Sequence, residues 1–243
     1  AHYHVVGVRS EGQKNLNVYL VETLRPVLLC QNRDCLSPEN LPGESYCAAC
    51  GSALTAQPIP MRYLLKESAD PKTFAASAQI GELHLSHPGL LLFEHFQEAP
   101  YGSILRYYVL EPEPGPTLAA NLSVPQEVPR VLDWGRQLAE ALAYLHANHV
   151  AWHKLDGYHV ALEGKRARWV NFTTSYVVPP QLGAQAADYY LKDVHSLATF
   201  LFYLCTGLGT YTPNHQLPEL VGRLFAQALA PEGTLATAAA LAE

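Results

Sequence analysis

The sequence predicts an α+β protein in which a β-rich first part is followed by a helical second part. Up to about residue 110, short runs rich in valine, leucine and tyrosine alternate with polar turns. After residue 128, apolar residues recur at three- and four-residue steps, as in amphipathic helices. A third observation is the stretch 27–56, which holds four cysteines and little apolar periodicity and therefore indicates a small inserted module.

The composition is that of a globular protein without a basic face or a long apolar segment. The chain has 243 residues, 49% of them hydrophobic and 16% charged, which is enough for two lobes with a substantial core. The formal net charge of −6 gives no basic face for nucleic acid or anionic lipid. The longest apolar stretch, near 197–204, is far shorter than the ~20 residues of a membrane span, and no signal peptide opens the chain. We therefore expect a cytoplasmic protein with neither nucleic acid nor membrane as partner.

The β-rich part divides into strands and one helix. Strands are predicted as a hairpin over 3–22 and as single strands at 61–67, 90–96 and 103–110. A helix is predicted over 70–85, entered through Asp70 and Pro71. The segment 111–115, EPEPG, is too rich in proline for regular structure and is interpreted as a hinge.

The second part is predicted to be helical. Its clearest helix spans 128–149, where Val131, Leu138, Leu142 and Leu145 fall on one face. Further helices are predicted at 193–205, at 218–230 and in the alanine-rich tail beyond residue 234.

The spacing of four cysteines predicts a structural metal site. Four residues separate Cys30 from Cys35 and two separate Cys47 from Cys50, with eleven between the pairs. Two such turns present four thiolates tetrahedrally to one Zn²⁺, and a full shell of four leaves no position for catalysis. Disulfide pairing is the alternative. Cys205 stands alone in an apolar segment and is interpreted as a small buried side chain.

The order of several segments resembles that of the protein kinase-like superfamily, in particular bacterial Ser/Thr-kinase-like proteins. YLLKE with Lys66 looks like the third small-lobe strand, YYVLEPEPGPTL with Glu111 like the hinge, and ALAYLHANHVAWHKLDGYHVAL like the long helix and catalytic loop. The resemblance implies a bilobal fold, with a β-rich N-lobe at 1–112 interrupted by a zinc ribbon at 27–56, and a helical C-lobe at 113–243. It also implies that Lys66 contacts nucleotide phosphate and that Glu111 lies at the hinge.

The departures from that family remove its catalytic groups. Phosphoryl transfer relies on a carboxylate that orients the nucleophile and on ligands for magnesium. Lys154 stands at the base position, or Leu155 in the neighbouring register, while His159 replaces the metal-binding asparagine and Asn171 replaces the metal-binding aspartate. Magnesium prefers charged oxygens to amide or imidazole, so both metal sites should be poor. We therefore expect no catalytic residue.

Two further positions bear on this prediction. The helix position that should pair with Lys66 falls near Ala78 or Gln79, so the lysine should lack its usual carboxylate partner and either hold a phosphate or lie solvated at the strand end. Asp193 is retained, and the resemblance implies that it braces the catalytic-loop backbone.

The expected function is therefore that of a pseudokinase: a regulatory or scaffolding module that binds a protein partner or another domain of a longer polypeptide, with ATP bound weakly, without magnesium, or not at all. The alternative is a divergent kinase or nucleotidyl-transferring enzyme that uses Lys66 with a relocated acid, Asp156 or Asp188. A third hypothesis makes the zinc ribbon the working part, which docks a protein or a nucleic acid while the lobes form a scaffold. Arg33 is the only basic residue between the cysteine pairs, so nucleic acid is disfavoured.

Overall fold

The computed structural model describes residues 3–13, 16–32, 35, 39–91, 93–98, 105–114, 118–152, 155–212, 217–229 and 237–243. The chain divides into two compact units, Ala1–Glu113 and Pro114–Glu243. The first is built on strands and the second mainly on helices, so the mixed α and β class predicted from the sequence is confirmed.

Seven strands are described in the first unit: β1 (Tyr3–Gln13), β2 (Leu16–Thr23), β3 (Leu28–Leu29), β4 (Glu39–Asn40), β5 (Arg62–Ser68), β6 (Glu94–Glu98) and β7 (Arg106–Pro112). Five of them form one antiparallel sheet in the order β1-β2-β5-β7-β6. Val21, Tyr63 and Leu110, from three adjacent strands, form a buried cluster on this sheet. The predicted hairpin and the strand carrying Lys66 are therefore confirmed.

The end of β7 corrects one prediction. Glu111 and Pro112 were expected in an irregular hinge, yet both belong to the strand. The proline is tolerated because Glu113 N donates to Arg62 O at 3.0 Å, so the nitrogen of Pro112 faces away from β5. On that side β6 pairs with β7 only as far as Leu110, and no ladder bond is lost.

The helix predicted over 70–85 is found as two shorter segments. A 3-10 turn, Pro71–Phe74, leads into α1 (Ala75–Glu82). The Asp70 carboxylate accepts a hydrogen bond from Lys72 N at 2.9 Å, which caps the entry as the Asp-Pro pair predicts. Phe74 and Ile80 are buried and hold this segment in place.

The described residues of the second unit form α2 (Val128–Ala147), β8 (Val150–Ala151), β9 (Val160–Glu163), β10 (Arg166–Trp169), β11 (Tyr176–Val177), α3 (Ala186–Thr206), α4 (Glu219–Leu229) and α5 (Ala238–Ala242). Strands β9 and β10 pair antiparallel, as do β8 and β11. Among the helices that the structure describes, none combines the length and apolarity needed to span a bilayer.

The core of the second unit is aromatic. The Trp152 ring packs 4.8 Å from Trp169 and 4.8 Å from Phe172, centroid to centroid, and all three side chains are fully buried. Trp169 Nε1 donates to Leu138 O of α2 at 2.9 Å, which ties β10 to that helix. This cluster holds together the segments that the resemblance places around a catalytic loop.

Helix α3 begins earlier than the predicted start at residue 193, because Ala186–Thr206 is one continuous helix. Its first turn holds Asp188, whose charge suits a helix N-terminus. Asp193 therefore lies inside the helix, where it is 1% exposed, and does not begin it.

Candidate functional site

The cysteine segment is a small β structure that leaves the sheet between β2 and β5. Thr23 N donates to Met61 O at 3.0 Å, and Val27 and Ile59 then exchange two backbone hydrogen bonds of 2.9 and 2.8 Å. Strands β3 and β4 pair within it. We call residues 27–59 the ribbon. Its two ends are thus held side by side by backbone hydrogen bonds.

The second cysteine pair forms a tight knuckle. Gly51 N donates to Cys47 O and Cys47 N donates to Ser52 O, both at 2.8 Å. Gly51 has φ of +71°, a left-handed conformation that glycine adopts without steric cost. The glycine directly after the pair is therefore what lets the backbone turn back toward the sulfurs.

The structure brings all four predicted cysteines together. Their Sγ atoms lie within 4.8 Å of one another, with 3.5 Å between Cys30 and Cys50 and 3.6 Å between Cys35 and Cys47. A tetrahedral zinc with sulfur at about 2.3 Å requires sulfur–sulfur separations of about 3.8 Å. The four are free thiols, so the disulfide alternative does not apply. The donor set fits a structural metal ion such as zinc.

Two asparagines support the sulfurs. Asn32 N lies 3.4 Å from Cys30 Sγ, and its side-chain amide donates to Cys50 Sγ at 3.8 Å. The buried Asn40 donates to Cys47 Sγ at 3.6 Å and accepts from Ala48 N at 2.9 Å. Such outer contacts orient metal ligands and balance thiolate charge. Sequence reasoning missed Asn40, because nothing local marks a residue seven positions before the cysteine that it contacts.

The environments of the sulfurs shift the pKa values of Cys50 and Cys30 in opposite directions. Hydrogen bonds from the side chain and backbone of Ser52 lower the pKa of Cys50 to about 6, so this thiol is ionised at neutral pH. Desolvation, followed by the neighbouring sulfurs, raises the pKa of Cys30 to about 12. Binding a cation to all four sulfurs must therefore displace the remaining protons, and metal affinity must fall as the pH falls.

One contact links the ribbon to the sheet. The Tyr63 hydroxyl of β5 donates to the Glu39 carboxylate of β4. Burial and the nearby Glu39 charge raise the pKa of Tyr63 well above its usual value, so the hydroxyl stays a donor. The ribbon is therefore attached to the core cluster of the sheet as well as through its two ends.

Lys66 lies in a setting that the sequence did not reveal. Its Nζ is 2.7 Å from Glu111 Oε2, and the two side chains are only 9% and 8% exposed. The pairing follows from register, because Lys66 lies opposite Val109 and Glu111 is two residues further along the same face of β7. The other Glu111 oxygen is buried and has no hydrogen-bond partner among the described residues. The expectation of an unpaired, solvated lysine is therefore wrong, although the partner is a strand residue and not the helix carboxylate usual in the family.

In the second unit, Asp193 contacts the segment after β8. Its Oδ2 accepts from Trp152 N at 2.7 Å and lies 3.0 Å from His146 Nε2. The His146 ring stacks on Tyr190, with centroids 4.4 Å apart. Asp193 therefore fixes the backbone where the expected catalytic loop begins.

His159 and Asn171, which the kinase resemblance places at metal-ligand positions, both make hydrogen-bond contacts with neighbouring residues. His159 is 4% exposed, with Nδ1 2.8 Å from Asp156 Oδ1 and Nε2 3.4 Å from Thr174 Oγ1. Asp156 Oδ1 also accepts from Tyr158 N at 2.9 Å. Asn171 adopts a left-handed conformation, φ +63°, and accepts from Thr173 Oγ1 at 2.8 Å. Lys154, the residue at the expected base position, lies outside the described residues.

Compared with known proteins, this chain matches no protein-family model, and the curated proteins searched give no match.

Proposed function

We propose that the chain is a catalytically inactive protein-kinase-like module, a pseudokinase, that acts as a regulatory or scaffolding protein-interaction domain with weak or absent nucleotide binding. The observation that carries this proposal is the buried ion pair between Lys66 and Glu111. Lys66 is the residue that the kinase resemblance assigns to the nucleotide phosphates, and its ammonium group already has a carboxylate partner.

The energetics of that pair oppose phosphate binding. An anion that took over Lys66 would have to displace the Glu111 carboxylate, which is buried and has one oxygen with no described partner. Separating a buried ion pair leaves an uncompensated charge and costs about 3–5 kcal/mol. The free energy of nucleotide binding is expected to be less favourable by that amount unless other contacts offset the cost.

The polar groups of the second unit support the same conclusion. Neither the amide of Asn171 nor the buried imidazole of His159 supplies the charged oxygen that magnesium prefers. The nearby carboxylate, Asp156, accepts hydrogen bonds from a backbone amide and from the His159 ring. These hydrogen bonds form a local network, which supports the expectation that magnesium binds poorly at these positions.

The element order and Asp193 support the kinase-like part of the proposal. A hairpin, a strand bearing a lysine, a short helix and two further strands precede a helical unit, as the resemblance predicts. Asp193 accepts a hydrogen bond from the Trp152 amide, a contact that is consistent with the bracing role implied by the resemblance. The ribbon between β2 and β5 adds a cluster of four thiols that could hold a structural metal ion.

The alternative of a divergent kinase or nucleotidyl-transferring enzyme has less support. It needs a relocated acid, yet Asp156 is held by its own loop and Asp188 lies exposed in the first turn of α3. An exposed carboxylate without a fixed partner is poorly placed to orient a nucleophile.

Thermal unfolding of the zinc-loaded chain, with and without millimolar ATP and magnesium, tests the proposal. A ligand that binds the folded state raises the Tm, so we expect no magnesium-dependent rise. Glu111→Gln removes the charge that holds Lys66 and should permit a small ATP-dependent rise without magnesium. Lys66→Met/Glu111→Gln is the matched control, and we expect it to show no rise.

A magnesium-dependent rise in the wild-type Tm, together with turnover of ATP, would contradict the pseudokinase proposal and favour the enzyme alternative.

A further inference from the structure

The loop between β4 and the second cysteine pair, residues 41–46, exposes two large apolar side chains. Leu41 and Tyr46 are each 67% exposed. We call this loop the ribbon tip. Isolated exposed apolar residues are ordinary on protein surfaces. These two lie within six residues of each other on a loop that the following contacts hold in one shape.

The ribbon tip is held in one shape by its own turn and at its base. Glu44 N donates to Leu41 O at 3.3 Å, across a turn in which Pro42 fixes one φ and Gly43 takes the left-handed value of +102°. Because the turn is already formed, the loop loses little conformational entropy when a partner binds to it.

The base of the tip is closed by the metal ligands. Asn40, the residue before the tip, contacts Cys47 Sγ and Ala48 N, which directly follow it. Tyr46 also pairs with Ala53 across the knuckle. The positions of the exposed side chains therefore depend on the same contacts that hold the four sulfurs together.

The electrostatics of the ribbon define the partner. Its charged residues are Glu39, Glu44 and the sequence neighbours Arg33 and Asp34, whose charges cancel. Four thiolates around one Zn²⁺ carry a net charge of about −2. With the two glutamates, the loaded ribbon carries about −4 within some thirty residues.

We propose that the ribbon tip docks a protein segment in which basic side chains alternate with apolar ones, and that this docking requires the loaded metal site. The proposal rests on the proposed function, because it identifies the surface and the partner chemistry of the interaction module. Leu41 and Tyr46 take the apolar side chains, and Glu44 with the metal–thiolate charge attracts the basic ones. A negatively charged partner such as a nucleic acid is disfavoured by the same charges.

The test uses the full zinc-loaded chain and a short fluorescent peptide of alternating leucine and lysine, followed by fluorescence anisotropy at physiological ionic strength. A peptide of alternating leucine and glutamate is the charge control. We expect the lysine peptide to bind and the glutamate peptide not to bind. Leu41→Ser/Tyr46→Ser should weaken binding by at least about tenfold, and Glu44→Lys should weaken it with no apolar contact changed.

A matched control lies on α4, where Leu220 is 74% exposed beside Glu219. Glu219→Lys/Leu220→Ser is compared with a third tip variant, Glu44→Lys/Leu41→Ser, which changes the same residue types within the ribbon and should also weaken binding. We expect the α4 variant to bind the lysine peptide like the wild type. Metal content and Tm, measured for every variant, should stay unchanged because the altered side chains are exposed.

The inference is overturned if the tip variants bind as tightly as the wild type, if the α4 variant loses as much affinity, or if the chelated protein binds equally well. The failure of the proposed function gives a different result, a magnesium-dependent rise in Tm with ATP. That rise does not depend on Leu41 or Tyr46, so the two failures are distinguishable in the same set of proteins.

Discussion

The ribbon and the helical unit differ in what is available to hold each of them together. Among the described residues of the ribbon, the buried apolar side chains are those of Leu28, Cys35 and Cys47, and two of these belong to the four-thiol cluster that could hold a metal ion. The helical unit buries Trp152, Trp169 and several phenylalanines completely. Burying one leucine contributes about 2 kcal/mol, whereas a structural zinc contributes about 10–16 kcal/mol. From this comparison we expect ribbon stability to depend on metal and helical-unit stability to depend on apolar burial.

The largest expected effect is therefore loss of the ribbon on metal removal. Chelation, or Cys47→Ser, should unfold residues 27–59 while α2 stays folded. Hydrogen exchange measures this directly: the hydrogen-bonded amides of Cys47, Gly51 and Thr55 should lose their protection, and those inside α2 should keep it.

Cys205→Ser is the matched control, because Cys205 lies in α3 and does not belong to the four-cysteine cluster. Protection of the ribbon that persists after complete chelation would show that apolar contacts hold it, and the comparison would fail.

The converse change removes a large side chain from the helical unit. Trp169→Ala deletes a fully buried ring and its hydrogen bond to Leu138 O, so the free energy of unfolding of this unit should fall by about 3–5 kcal/mol. Denaturant titration measures that loss. The metal content of the ribbon should not change. Trp169→Phe keeps most of the packing and should recover part of the stability. A loss of zinc in either variant would contradict the expectation that the stability of the ribbon does not depend on the core of the helical unit.

The Lys66–Glu111 pair lies between these extremes, since it is polar and buried in the sheet. Lys66→Ala leaves Glu111 buried without its partner and should cost about 3 kcal/mol of unfolding free energy. Lys66→Met/Glu111→Leu replaces both charges with apolar groups of similar size and should be nearly neutral. Chemical denaturation measures the free energy of unfolding of both variants. Equal losses of unfolding free energy would mean that the packing of the two side chains matters and their charges do not.

The smallest effect concerns the fifth cysteine. Burial raises the pKa of the Cys205 thiol from 9.0 to about 11. The folded state therefore keeps a proton that the unfolded chain releases, so unfolding free energy should decrease as pH rises from 9 toward 11, and less so in Cys205→Ala.

Reaction with a thiol reagent at neutral pH compares the accessibility of the ribbon cysteines with that of Cys205. Of the five cysteines, we expect four to react after chelation and the fifth only after denaturation. Rapid reaction of Cys205 in the folded protein would show that the helical unit is not closed around it.

The parts of this structure that local sequence determines were predictable. The spacing of the four cysteines predicts that they cluster, and Gly51 allows the backbone to turn beside the second pair. The hairpin is predicted by apolar residues in short strand-like runs, and α2 by apolar residues that recur at helical steps. These patterns involve residues that are close in the sequence, so they can be recognised without knowledge of the tertiary structure.

The partner of Lys66 was not predictable from local sequence. Glu111 is set by the register between β5 and β7, forty-five positions apart, and its place in a strand was hidden by the proline that follows it. The start of α3 was missed for a similar reason, because the residues before Asp193 carry no capping signal by which to recognise a helix start. Contacts between distant segments decide both features.

The paired ends of the ribbon bear on how the chain could be re-engineered. Since Thr23 is already hydrogen-bonded to Met61 and Val27 to Ile59, the two strands that flank the ribbon meet as they would in an ordinary hairpin. We therefore expect that a short turn could take the place of the whole segment without changing the register between β2 and β5. The same geometry makes the ribbon a position at which another small module with adjacent ends could be grafted.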